Sequence, residues 1–145
     1  MRIDAHIAPR YARAARAAAL KTAARAALDV ARVRRRVSLT IVVAGDAALR
    51  KLNRDFLGID APTDVLSFAA EGDYVGDVII SFARARAQAK SGGHPLIDEL
   101  RLLVIHGVLH LLGYDHETPA QKTRMWTAQA KALRKVGASI DGPAE

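Results

Sequence analysis

The sequence predicts a domain that mixes strands and helices, on three observations: short stretches of strict apolar alternation, longer stretches with helical spacing, and turn residues that separate them. With 145 residues, half of them apolar, the chain has the size of one ordinary domain, so residues 1–145 are expected to bury a single core.

Arg2 to Ile7 alternates, with Ile3, Ala5 and Ile7 opposite Arg2, Asp4 and His6, and reads as a first strand. Tyr11 to about Ala31 is rich in alanine, the best helix former, and carries Leu20, Leu28 and Val30 among basic residues, which predicts one long helix. Val37 to Val43 alternates again and places Val37, Leu39, Ile41 and Val43 on one face. Gly45-Asp46 ends that strand and caps a short helix over Ala47 to about Asp55. After a loop with Gly58 and Pro62, two β-rich runs, Asp64 to Phe68 and Val75 to Ser81, are joined through Glu71-Gly72-Asp73 and predict an antiparallel hairpin.

Ser81 can cap the helix that follows, which should stop near Ser91-Gly92-Gly93, and Pro95 suits the first turn of the next helix. In that next segment Leu102, Leu103, Val104, Ile105, Val108, Leu109, Leu111 and Leu112 leave almost no polar side, as in a buried central helix. Thr118-Pro119-Ala120-Gln121 has the form of a capping box with proline at the first helical position, so a last helix should run to about Lys135. Asp141 to Glu145 are expected to fray. The reading gives about four strands and about five helices, with no repeat and no interdomain linker.

Without cysteine, the chain has neither a disulfide framework nor a thiolate metal site, and any metal must be held by histidine or carboxylate. No run approaches the roughly 18 apolar residues of a membrane span, and the first thirty residues lack a compact apolar block. Membrane insertion and secretion are therefore not expected, and a cytoplasmic setting fits. The formal charge is +7. Between Arg10 and Arg36, nine basic residues face Asp29 alone, so the rest of the chain is nearly neutral. Such a concentration suits a polyanion-binding surface, and it also suits a solvated face on an Ala-rich helix.

Residues 106 to 116, HGVLHLLGYDH, carry the chemistry. Residues four apart share a helix face about 5–6 Å apart, so His106 and His110 can direct their imidazoles at one cation. Gly113 can end the helix through a left-handed residue and turn the chain so that His116 supplies a third ligand. Three imidazoles with an open fourth position describe a catalytic zinc site for one ion. The spacing is that of the zinc-protease pattern H-E-x-x-H-x-x-G-x-x-H, but Gly107 stands where that pattern has its general base. A bound metal can still lower the pKa of water to about 7 and make hydroxide available, so hydrolysis remains open without that carboxylate.

Other residues weigh differently. Asp115 adjoins the third ligand and is placed to orient an imidazole, to accept a proton from bound water, or to stabilise the turn. Lone histidines on apolar faces are more often satisfied core residues than ligands, and His6 and His94 are read that way. Glu99, two turns before His106, is too far to be a ligand and reads as a surface group. Tyr114 reads as packing, and Arg84 and Arg86 as part of a solvated helix.

Together these residues resemble the YbeY family of bacterial rRNA maturation factors over nearly the whole chain. HGVLHLLGYDH agrees with the family signature H-G-x-L-H-L-x-G-Y-D-H at every specified position. LNRDFLGIDAPTDVLSF, from Leu52 to Phe68, resembles the second signature, and Gly76-Asp77-Val78-Ile79-Ile80-Ser81 the motif G-D-[IV]-x-I-S. The resemblance implies an α+β fold, with a small mixed sheet covered by helices and the metal site on a central helix beside a cleft. It implies His106, His110 and His116 as zinc ligands. It further implies a zinc-dependent single-strand-specific endoribonuclease that acts on rRNA, in late 3′-end maturation of the small-subunit rRNA, with the ribosomal small subunit or assembly factors as partners.

One position departs from the family. An arginine usually follows the aromatic residue of the second signature, whereas here Phe56 is followed by Leu57, which offers neither charge nor donor. A neighbour such as Arg54 is then the candidate to stabilise developing negative charge. Two other readings stand beside the nuclease: a zinc peptidase, from the spacing of the histidines, and a non-catalytic ribosome-assembly factor with a structural zinc.

Overall fold

The computed structural model describes residues 1–140; Asp141–Glu145, expected to fray, lie outside the described residues. Four strands, β1 (Arg2–Ile7), β2 (Ser38–Ala44), β3 (Val65–Ala69) and β4 (Tyr74–Ser81), form one sheet in the order β1-β2-β4-β3. β1, β2 and β4 are parallel, and β3 runs antiparallel to β4, with Ser67 opposite Val78. The sheet is mixed because its parallel neighbours are connected through helices, while the β3–β4 pair needs only the tight connection around Gly72 (φ 79°).

The helices are α1 (Ala12–Ala15), α2 (Ala17–Val30), α3 (Asp46–Leu57), α4 (Phe82–Gly92), α5 (Leu96–Leu111) and α6 (Pro119–Lys135), with a 3-10 turn over Pro9–Tyr11. The expected single helix from Tyr11 to Ala31 is therefore broken. Arg16 sits in the left-handed region (φ 47°, ψ 86°) and separates α1 from α2. A non-glycine residue there costs about 1–2 kcal/mol. What holds it is packing on the far side of the break: Ala15 is fully buried, and the Tyr11 ring stacks on Phe82 with centroids 4.2 Å apart. Alanine propensity is a weak preference, and tertiary contacts override it.

The principal core lies on one face of the sheet. Leu39, Ile41 and Val43 from β2 and Val78 and Ile80 from β4 meet α2, α5 and α6 there. On the other face, Leu49 of α3 packs over Leu66 and Ile79 in a smaller cluster. α5 is the central element: Leu100, Leu103, Val104, Ile105, Val108 and Leu109 are all fully buried, which accounts for its lack of a polar side. Pro95 caps α5 from outside, in extended conformation, instead of occupying its first turn.

Two ionisable residues sit differently from expectation. Glu99 is buried, not on the surface, and its Oε1 lies 2.6 Å from His94 Nε2. Its burial follows from α5 being enclosed on every side, and that burial raises the Glu99 pKa while the His94 contact opposes the rise. His6 is exposed, not a core residue, because β1 forms an edge of the sheet and His6 is on its open face.

Candidate metal centre

His106 and His110 come from the last turns of α5 and lie one helical turn apart, with Nε2 atoms separated by 3.1 Å. The helix then ends as the glycine predicts. Gly113 takes φ 94°, its N–H donates to the His110 carbonyl at 3.0 Å, and the Tyr114 N–H donates to the Leu109 carbonyl at 3.0 Å. This double closure of the last turn reverses the chain and returns His116 to the end of the helix. One nitrogen from each of the three rings lies within 4.8 Å of the others.

The donor set fits a divalent metal. Tetrahedral ligands held at about 2.0–2.1 Å stand about 3.3 Å apart, close to the separation of the His106 and His110 Nε2 atoms. The other nitrogen of His106 is already engaged, since Nδ1 lies 3.0 Å from Gln129 Oε1 in a fully buried contact. The Gln129 amide oxygen can only accept, so Nδ1 carries the proton and Nε2 presents its lone pair towards His110 and His116. Burial drives the His106 pKa down from 6.5 to about 4, the Gln129 contact opposes this, and the charges of His110 and His116 add to the fall. His110 is lowered by burial and by His116. Neutral imidazoles are what a metal requires.

α6 completes the centre from its far side. The capping box forms as expected, with Thr118 Oγ1 accepting the Gln121 N–H and Gln121 Oε1 accepting the Thr118 N–H. That start fixes the register in which Gln129 reaches His106 and the Trp126 ring stands 5.9 Å from His106 and 5.5 Å from His116. Asp115 Oδ1 accepts the backbone N–H of His116 at 2.8 Å and so holds the turn that carries the third imidazole. Tyr114 packs on the core with Arg124 4.4 Å above its ring.

The three histidines open into a cavity of about 390 Å³ between α5, β3 and the end of α3, where Leu57, Thr63, Asp64 and Ser67 also face it. None of its lining residues is lysine or arginine. Leu57, where the family resemblance implies an arginine, belongs to the lining, whereas Arg54 does not and pairs with Asp55 at 3.2 Å. Arg84 is paired with Asp46 at 3.2 Å, and Arg86 lies over Phe82. Neither lines the cavity.

Gly107 has a structural reason to lack a side chain. A Cβ there would stand 2.5 Å from Val78 Cγ1 and 3.2 Å from Ser67 Oγ, and the Ser67 hydroxyl donates to the Gly107 carbonyl at 3.0 Å. α5 thus lies directly on the hairpin at this residue, and the protease glutamate has no room.

Sequence reasoning passed over two residues of this centre. Gln129 is a polar residue among the buried positions Met125, Ala128, Ala132 and Leu133 of α6, and that interruption of an apolar stripe was its available signal. Asp64, which the alternation marks only as the start of a strand, supplies the carboxylate of the cavity lining, with Oδ1 accepting the Val65 N–H and Oδ2 accepting from Gln88 Nε2.

Comparison with known proteins agrees with this architecture. A family model described as Endoribonuclease YbeY matches residues 6–137. A protein of that name from Roseiflexus sp. (strain RS-1) is 40% identical, over 94% of this chain and 94% of its own length. Another, from Chloroflexus aggregans, is 42% identical over 83% of this chain and 88% of its own. The solution structure of a Thermotoga maritima protein superimposes with a TM-score of 0.65 at 25% identity, covering 92% of this chain and 88% of that one.

Proposed function

We propose, from the premise that this chain belongs to the Endoribonuclease YbeY family, that it is a zinc-dependent endoribonuclease that cuts single-stranded RNA during rRNA processing. Residues 1–145 act as one domain, in the cytoplasm, on the 3′ end of small-subunit rRNA, in company with the small subunit or its assembly factors. His106, His110 and His116 hold one zinc ion. The observation that carries this reading is the convergence of three imidazoles, one of them fixed by Gln129, at the floor of an open cavity.

An ion bound there would supply a Lewis acid for a phosphate oxygen and a means of activating water. The chain's own residues do the rest. Gln129 holds His106 in the tautomer that leaves Nε2 free, and Asp115 fixes the backbone of His116. Asp64 retains unshared lone pairs beyond its two hydrogen bonds and is the cavity carboxylate able to accept a proton from the attacking water. Leu57 supplies no charge for the developing phosphorane, and Arg54 would have to leave Asp55 to do so.

The end of α3, which reaches the cavity through Leu57, exposes apolar groups suited to unpaired bases. Phe56, Leu57 and Ile59 are 69%, 54% and 52% exposed, and Phe56 stands edge-on to Phe68 with centroids 5.7 Å apart. Exposed aromatic and apolar groups beside a cleavage site receive splayed bases, which a duplex does not offer. The packing at Gly107 argues against the peptidase, because no glutamate can follow the first ligand.

The test is cleavage of a single-stranded RNA and of the same strand annealed to its complement, with and without chelator. Cleavage of the single strand alone, lost with chelator and restored by zinc, is the expected result. Cleavage indifferent to chelator, or equal on the duplex, would contradict it.

A further inference from the structure

We propose that a second surface, the groove between the C-terminal ends of α2 and α6, docks the phosphate backbone of a double-helical RNA segment that flanks the cleaved strand. The proposal rests on the nuclease reading above and adds where the structured part of the substrate is held. The groove is shallow and open, with a volume of about 490 Å³, and is lined by Asp29, Val30, Arg32, Lys131, Arg134 and Lys135. It shares no lining residue with the metal cavity. Lys135 is six residues beyond Gln129, about 9 Å further along the α6 axis.

The charge of this groove exceeds what the fold needs. Two helix C-termini end here, each equivalent to roughly half a negative charge, and Asp29 adds one more. Four exposed cations face them, which leaves the groove with a net charge of about +2. None of the four makes an ion pair among the described residues. Arg32 also closes α2 in the left-handed region (φ 59°), with its N–H bonded to the Asp29 carbonyl at 3.0 Å, so its position in the groove is set by the backbone. Arg34, Arg35 and Arg36 continue the positive surface along the exposed connection to β2.

The chemistry of the lining selects the occupant. Counterion release from a polyanion rewards such a cluster, and no aromatic side chain lines the groove on which an unpaired base could stack. Phosphates without accessible bases are what an RNA duplex presents. The metal cavity is the complement of this arrangement, since no lysine or arginine lines it and the exposed Leu57 does. The two surfaces divide the substrate, with paired RNA on the groove and unpaired RNA at the histidines.

The test compares two zinc-loaded variants of equal net charge. One carries Arg32→Gln, Lys131→Gln and Lys135→Gln; the other carries Arg13→Gln, Arg86→Gln and Lys90→Gln, all exposed and all outside the groove. Binding of a blunt RNA duplex is followed against salt concentration, and cleavage of a short unstructured RNA is measured in parallel. The groove variant should bind the duplex at least about tenfold more weakly, with a shallower salt slope, and cut the short RNA at the unaltered rate. Equal losses in the two variants, no loss in either, or displacement of the duplex by poly-glutamate at matched charge would overturn the assignment; the last would give the groove to an acidic protein. Failure of the unaltered protein to cut the short RNA would instead count against the nuclease reading.

Discussion

Gln129 Oε1 accepts from His106 Nδ1 across 3.0 Å, in a contact that solvent does not reach. The bond joins α6 to α5 and selects the tautomer of the most buried of the three imidazoles. Gln129→Leu should keep the fold and lower metal affinity roughly 10–100-fold, the usual cost of losing such an orienting partner. Competition with a chromophoric chelator measures it. Unchanged affinity would mean that packing alone orients His106.

At Gly107 a methyl group would meet Val78 at 2.5 Å. Gly107→Ala should destabilise the protein by about 1–3 kcal/mol, as overpacking does, and Gly107→Glu should fail to fold. Denaturant unfolding reads the first; a soluble and fully folded Gly107→Glu protein would contradict the close approach of α5 to β4.

The metal-free protein should lose stability through His106 as the pH falls below about 6.5. His106 is held at about 4 by burial, below its ordinary 6.5, so between those values the unfolded chain takes up a proton that the folded chain refuses. Stability is complete above about pH 6.5 and falls towards pH 4, by on the order of 3 kcal/mol from this group. His110, lowered by burial and by His116, acts in the same direction. Thermal melting of chelator-treated protein across this range checks the slope, and a flat profile would contradict it.

Leu57 stands in the cavity lining, at the position for which the family resemblance implies an arginine. Leu57→Arg should raise the cleavage rate on single-stranded RNA without changing bound metal, because a guanidinium there can stabilise charge developing on the phosphate. Single-turnover rates make the comparison. The absence of any gain would remove this position from the account of activity.

Local pattern made much of this molecule legible. β1 follows the alternation of Arg2–Ile7, the hairpin forms around Gly72, and α6 begins at its capping box and ends at Lys135. The histidine spacing and Gly113 made the convergence of the three imidazoles legible because a helical turn and a left-handed closure are themselves local geometry. What escaped depends on distant segments. The break at Arg16 is held by Tyr11 stacking on Phe82, far along the chain. The burial of Glu99 follows from enclosure of α5, and Gln129 belongs to the centre only because α6 packs back over α5. The basic run from Arg10 to Arg36 was visible, but its meeting with Lys131, Arg134 and Lys135 was not.

The central claim is that three imidazoles hold the metal on which RNA cleavage depends. His110→Ala, shown folded by circular dichroism, should be isolated without stoichiometric zinc and should leave single-stranded RNA uncut, while the unaltered protein does both. Cleavage at the ordinary rate by metal-free His110→Ala protein would contradict the account.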